Sequence, residues 1–245
     1  MTVPSWPHRP SPHLPAPPLV CPQSLPFTCG PAALLSVLTS MGHPIGPDPS
    51  AAEIALWREV TAVACPGAHP LGLALAAERR GLRARLTWEG PRPWLWSHIR
   101  RTHHALLRKS DYVRIEASWL ADSRRSGILD SSRQHPCEGI GLLLMGVNGP
   151  KGSYRSDPHW VGLWEAPRGV YLLNPLRRSP QPCSESPADL WNRSGFEGTR
   201  CWISLAPARA PGVRPTPGRH HELGGPGDRP HTLKKRRGPA ARPEP

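Results

Sequence analysis

The sequence predicts an α+β fold in which helices come first and an antiparallel sheet follows. Alanine- and leucine-rich segments with helix start and stop signals fill the first half of the chain, and short apolar runs separated by turn residues occupy 140–173. Helices followed by strands are typical of this class. We therefore expect N-terminal helices packed on a C-terminal antiparallel sheet.

The first two helices are marked by their ends. Residues 30–41 carry Pro31 in the first turn and Gly42 after the last, which predicts a helix over this range. Ser50 and Glu53 have the spacing of a capping box ahead of a second apolar segment, so a helix is expected to begin at Ser50. Three further segments have helical composition and are expected at 70–80, 93–109 and 112–124.

The strands are expected between turn signals. Apolar and charged residues alternate in the first strand, and three apolar runs in the second half read as an antiparallel meander. A last apolar run is expected to add an edge strand. The five ranges are 82–86, 140–147, 159–164, 169–173 and 201–205.

Proline divides the 245-residue chain into a folded centre and two flanks. Of the 34 prolines, seven lie in residues 1–20 and nine in 207–245, and neither flank has apolar periodicity. Such segments do not bury enough apolar surface to fold. We expect a Pro-rich disordered segment at 1–20, the working domain at 21–206 and a basic Pro/Gly/Arg-rich disordered tail at 207–245.

The chain is strongly basic, with a net charge of +13. The tail contributes +6, from nine Lys/Arg residues and three acidic ones. This tail either binds anions nonspecifically or is simply solvated, and the charge favours an acidic substrate. No apolar run approaches the ~20 residues of a membrane span, and 1–20 lack the apolar middle of a signal peptide, so the cytoplasm is the default compartment.

The six cysteines have no CxxC spacing, which in a reducing compartment favours free thiols, although their even number leaves a disulfide framework open. The spacing of Cys65 and His69 is not followed by a second ligand pair, so we expect no metal and no other cofactor.

Cys29 is the candidate nucleophile. It directly precedes the first predicted helix, where unpaired N–H groups and the positive end of the helix dipole favour the thiolate. Gly30 allows the backbone to come close to a bound substrate. Gln23, six residues earlier, is placed to donate its amide to an oxyanion together with the Cys29 N–H. A buried structural cysteine is the alternative interpretation.

His159 and Asn174 are the candidate partners of the cysteine. His159 opens an apolar strand 130 residues after Cys29, a separation typical of papain-like enzymes. Asn174 ends the next strand, and in an antiparallel hairpin the start of one strand lies beside the end of the next. The amide oxygen is therefore expected to accept the imidazole N–H. Asp157 is a rival orienting residue, and a turn asparagine before proline is the alternative for Asn174.

These residues lie in motifs that resemble a known family. The patterns QxxxxxCGPAAL (23–34), PHWV (158–161) and NP (174–175) resemble the bacteriocin-processing, papain-like cysteine peptidases of family 39. The segments LWRE (56–59) and GLALAAERRG (72–81) are similar to a bacterial subgroup of unknown function that is associated with ATP-grasp glutamate ligases. The resemblance covers about 21–180 and implies a papain-like fold.

The resemblance also implies roles. Cys29 would be the nucleophile and His159 the general base and acid. Gln23 would be the oxyanion donor and Asn174 the orienting residue, although the family often has an aspartate at the latter position. The family also often has an acidic residue where this chain has Thr28.

The expected function is thiol-dependent hydrolysis of a peptide or isopeptide bond through an acyl-enzyme. Gly30 and Trp160 are the expected substrate-binding residues, and the partner is a peptide or protein substrate. The same machinery would serve an acyl or peptidyl transferase. A non-catalytic peptide-binding module of the same fold and a nucleic-acid-associated protein driven by the tail are the further alternatives.

Overall fold

The computed structural model describes residues 18–61, 67–90, 109–129, 139–148, 156–196 and 198–208. These ranges contain five helices and one six-stranded antiparallel sheet, which confirms the α+β class. The elements are α1 (Cys29–Ser40), α2 (Pro49–Val60), α3 (Pro70–Arg79), β1 (Leu82–Glu89), α4 (Lys109–Arg125), β2 (Ile140–Asn148), β3 (Ser156–Ala166), β4 (Gly169–Leu173), β5 (Gln181–Cys183), α5 (Pro187–Arg193) and β6 (Arg200–Pro207).

The order of the sheet is β1-β6-β2-β3-β4-β5. Strands β2, β3 and β4 form the expected meander, with β2 paired to β3 along nine positions. The expectation that 201–205 forms an edge strand was wrong, because β6 lies between β1 and β2 and pairs with both. Its apolar residues are buried on both faces, which is the pattern of a central strand.

Side chains alternate between two apolar layers along the central strands. On β3, Trp160 and Trp164 belong to the larger cluster, which also contains the buried residues of α1 and α3, whereas Val161 and Leu163 belong to a smaller cluster with α5. Alternation of this kind follows from the two-residue period of a strand. The N-terminal helices therefore pack on one face of the sheet, as expected, and α5 covers part of the other.

Helix α2 begins differently from the expectation. Its N-cap is Asp48, whose carboxylate accepts the N–H groups of Ser50 and Ala51 at 3.0 Å, and Pro49 occupies the first helical position. The predicted capping box of Ser50 and Glu53 was therefore wrong. Glu53 instead lies on the buried stripe of the helix, where it is 2% exposed.

The other helix and strand predictions agree with the described elements to within a few residues. The segment 93–109 lies almost wholly outside the described residues, as do the two flanks, so the domain boundaries at 20 and 207 stay predictions. In the ranges that the structure describes, no helix has the length and apolar character needed to cross a membrane. The four cysteines found there, Cys21, Cys29, Cys183 and Cys201, are free thiols.

Candidate functional site

The candidate site lies where the first turn of α1 meets β3. Strand β4 pairs with β3 only from Gly162 onward, so the sheet leaves the earlier part of that edge of β3 uncovered. Helix α1 contacts β3, and the main-chain amide of Trp160 lowers the pKa of the Cys29 thiol. The nucleophile candidate is thus held against the residue that directly follows His159.

Cys29 is the first residue of α1 and is 6% exposed. Burial raises the pKa of its thiol above the ordinary value. The main-chain amides of Trp160, Gly30 and Cys29 lower the pKa by a smaller amount. The expectation that the helix terminus favours a resting thiolate was therefore wrong, because the thiol is buried too deeply for the amides to compensate.

His159 and Asn174 lie in contact, as the hairpin geometry predicts. The imidazole Nε2 is 3.0 Å from the Asn174 Oδ1, so Nε2 carries the proton and donates it to the amide oxygen. The neutral ring then has Nδ1 as its free acceptor. Burial lowers the pKa of His159, and the hydrogen bond to Asn174 raises it by a smaller amount. The resting histidine is neutral at pH 7.

Asn174 is itself fixed by the turn that follows β4. Its Oδ1 also accepts the N–H of Leu176 at 3.0 Å, and its carbonyl accepts the N–H of Arg177 at 2.8 Å. An Asx turn of this kind sets the direction of the amide before any ligand binds. Asp157 is the second residue of β3 and lies opposite Val147 of β2, and its side chain is outside the described part.

Gln23 lies beside the same turn. Its main-chain N–H donates to the carbonyl of Pro175 at 3.0 Å, which ties the loop before α1 to the segment after Asn174. The side-chain Nε2 donates to the Leu25 carbonyl at 3.0 Å, and a primary amide has a second N–H to offer. Among the described residues, the buried Oε1 of Gln23 has no hydrogen-bond partner.

Gly30 and Trp160 have packing roles in this structure. A Cβ on Gly30 would lie 2.6 Å from the Ala68 Cβ and 3.2 Å from the Trp160 Cδ1. The Trp160 side chain is 2% exposed, and its indole N–H donates to the Ala68 carbonyl at 3.3 Å. Their expected contact with substrate stays a prediction, and the main-chain amide of Trp160 is the group that reaches the nucleophile.

One residue of the site was missed by the sequence analysis. The Glu53 carboxylate accepts the N–H of Ser24 and contacts the hydroxyl of Thr28, the residue before the nucleophile. The positions 53, 56 and 60 form one helical stripe, and the other two are buried leucine and valine. That spacing is the sequence signal for a buried carboxylate, but the position of Glu53 three residues after Ser50 indicated a capping box instead.

Residues 20–181 match a family described as Peptidase_C39 like. The match spans well over half of the chain and includes Gln23, Cys29, His159 and Asn174. The chain therefore belongs to this family of cysteine-peptidase-like proteins, and its helices followed by an antiparallel sheet are consistent with that fold. A search of curated proteins found no match.

Proposed function

We propose that the protein is a thiol-dependent hydrolase that cleaves a peptide or isopeptide bond with Cys29 as nucleophile. One observation carries the proposal: the main-chain amide of Trp160 acts on the Cys29 thiol strongly enough to lower its pKa, and the preceding residue of the same strand is a neutral histidine held by Asn174. A nucleophile, a base and a group that orients the base are the parts that covalent catalysis requires.

In the proposed reaction both groups begin neutral. Nδ1 of His159 accepts the thiol proton as the sulfur attacks the substrate carbonyl, and Asn174 stabilises the imidazolium through Nε2. The Cys29 N–H at the start of α1 and the second N–H of the Gln23 amide donate to the oxyanion. The imidazolium then protonates the leaving amine, and water releases the acyl group from the sulfur.

This scheme differs from a preformed ion pair in one respect that can be measured. Burial raises the thiol pKa and lowers the histidine pKa, so proton transfer accompanies attack and is not complete beforehand. In the absence of substrate, the rate of Cys29 alkylation by iodoacetamide should therefore rise with pH around a thiol pKa above the ordinary value. Acylation, in contrast, should depend on His159 at neutral pH.

The first experiment measures acylation of the cysteines by p-nitrophenyl acetate at pH 7, with the modified residues located by mass spectrometry. We expect Cys29 to be acylated faster than Cys21 and Cys183, which are both partly exposed, and we expect His159→Ala to remove that advantage. Cys21→Ala, on the segment beside α1, is the matched control and should leave the Cys29 rate unchanged. If Cys29 is no faster than the other two, the proposal fails.

A second experiment distinguishes the two reaction types. Peptides from a proteolysed cell extract would be incubated with the wild type and with Cys29→Ala, and new termini would be identified by mass spectrometry. New carboxyl termini that require Cys29 support hydrolysis. Adducts with added glycinamide in their place support an acyl or peptidyl transferase, and retention of peptides without cleavage supports a binding module.

An acidic substrate is part of the proposal because of charge. Arg177 and Arg178 are exposed in the turn that begins at Asn174, and the chain as a whole has a net charge of +13. Opposite charge raises the rate of encounter with an acidic peptide. A functional association with ATP-grasp glutamate ligases and nonspecific anion binding by the basic tail remain predictions, and both would be tested by the acidity of the peptides that are cleaved or retained.

A further inference from the structure

The loop of residues 23–28 joins two groups of the proposed site, the Gln23 amide and the Cys29 thiol. Helix α2 holds this loop at two points one helical turn apart. The Phe27 ring packs against Trp57 with centroids 5.0 Å apart, and the Glu53 carboxylate makes the polar contacts described above. Residues four apart lie on the same face of a helix, so α2 presents an apolar and a polar anchor together.

Glu53 is a buried carboxylate whose contacts within the described residues are with an N–H group and a hydroxyl group and not with a cation. The Ser24 N–H lies 2.9 and 3.0 Å from its two oxygens, and the Thr28 hydroxyl contacts the Oε1. No salt bridge to Glu53 is present among the described residues, and the side chain is 2% exposed. Burying a carboxylate is costly unless hydrogen bonds compensate, so its position depends on the loop as much as the loop depends on it.

The contacts of Glu53 extend to Gln23 through the Leu25 carbonyl. That oxygen accepts the Gln23 Nε2 at 3.0 Å, the Thr28 N–H at 3.3 Å and, when the single proton of the Thr28 hydroxyl does not go to Glu53, that hydroxyl at 2.8 Å. The Leu25 N–H in turn donates to the Thr28 Oγ1 at 3.3 Å. The direction of the Gln23 amide is thus set by a carbonyl whose position Thr28 and Glu53 determine.

We propose that Glu53 is a positioning residue of the oxyanion site, acting by holding the 23–28 loop so that the Gln23 amide and the Cys29 N–H point at the same developing charge. The proposal rests on the function proposed above. Donors of this kind act only when they are fixed in place before the reaction. Glu53 touches neither substrate nor nucleophile and acts through Ser24, Thr28 and Leu25.

The test compares Glu53→Gln with Glu59→Gln, a matched change on the same helix at a carboxylate that pairs with Arg79 and Arg80. Two reactions of Cys29 are measured. Acylation by p-nitrophenyl acetate forms an oxyanion, whereas alkylation by iodoacetamide does not. We expect E53Q to lower the acylation rate by about 10- to 100-fold, as small misplacements do, and to leave the alkylation rate unchanged. We expect E59Q to change neither rate.

A double-mutant cycle tests the route of the effect. Gln23→Ala should lower acylation by roughly 10²-fold, the loss typical of one oxyanion donor, and adding E53Q should then cost little more, because the group through which Glu53 acts is gone. Thr28→Val, which removes the hydroxyl from the loop side, should reproduce E53Q and serves if E53Q does not fold. Amide exchange at Ser24 should accelerate in E53Q without substrate.

The outcomes separate this inference from the proposed function. Equal losses of acylation and alkylation in E53Q, or losses that add fully to those of Q23A, would show a general structural role and overturn the inference. Wild-type acylation that depends on His159 but not on Glu53 would do the same and leave the hydrolase proposal standing. If wild-type Cys29 is not acylated preferentially at all, both fail, although faster Ser24 exchange in E53Q would still show that the carboxylate orders the loop.

Discussion

Gly30→Ala is the substitution whose effect follows most directly from the structure. Gly30 is buried in the first turn of α1, and a Cβ there would lie 2.6 Å from the Ala68 Cβ, 3.1 Å from the Leu73 Cδ1 and 3.2 Å from the Trp160 Cδ1. The distance to the Ala68 Cβ is far below van der Waals contact. The Ala68 methyl group is fixed to the main chain and cannot rotate away from the added Cβ. Helix α1 and the segment that carries Ala68 must therefore move apart.

The expected loss of stability is modest. Overpacking a core by one methyl group costs about 1–3 kcal/mol, and replacing glycine by alanine in a helix returns about 0.5–1 kcal/mol. We expect the free energy of unfolding of G30A to fall by roughly 1–2 kcal/mol. Because Trp160 is one of the three groups that would be displaced, the main-chain amide that lowers the pKa of the Cys29 thiol should shift as well, and acylation of Cys29 should slow.

Gly42, just beyond the other end of α1, is the matched control. Its φ is +82° and an added Cβ meets nothing within 4 Å. Alanine there costs about 1–2 kcal/mol of backbone strain with no packing change. Urea denaturation of G30A and G42A should therefore give similar losses, while only G30A slows acylation by p-nitrophenyl acetate. A wild-type urea midpoint for G30A, or equal slowing in both variants, would refute the packing argument.

The remaining predictions concern histidine titration and two side chains of the site. Burial lowers the pKa of His69 to about 3, so below pH 6.5 the unfolded chain binds a proton that the folded chain does not. Stability should therefore fall as the pH drops from 6.5 towards 3, by up to about 1.4 kcal/mol per unit, and urea denaturation of His69→Asn should show a shallower dependence. Asn174→Asp should raise the pKa of His159, so the fall of the acylation rate on the acid side of the pH profile should move to higher pH. Asn174→Ala should slow acylation and move this fall to lower pH. If the fall stays at the same pH in both variants, the assigned contact between His159 and Asn174 is contradicted. Trp160→Phe removes the indole bond to Ala68 and should cost about 1 kcal/mol of stability, with KM unchanged for any peptide substrate, whereas a raised KM would place the indole in the substrate site.

The local parts of the site were predictable because short sequence patterns determine them. A cysteine before a proline-started helix had to lie at the helix terminus, and it is the first residue of α1. Two apolar runs joined by a short turn had to pair as a hairpin, and that pairing brings His159 to 3.0 Å from Asn174. Both inferences need only the chain within about twenty residues of the group concerned.

The features that the sequence did not reveal depend on distant parts of the chain. The position of β6 depends on pairing Leu82 with Pro207, and no local pattern reports a partner so far away. The protonated state of Cys29 depends on how completely other elements bury it. The role of Glu53 depends on a loop 25 to 29 residues earlier that packs over α2.

The central position of β6 has a consequence for how the protein is made. A chain emerging from the ribosome presents α1, β2 and β3 well before residues 200–207 appear, and until then β1 and β2 have no strand to join them. Pairings across more than a hundred residues form slowly because loop closure must come first. We therefore expect the sheet of the nascent chain to stay incomplete until synthesis has passed residue 207. A truncation before this point should remove a central strand of the sheet and not an edge strand.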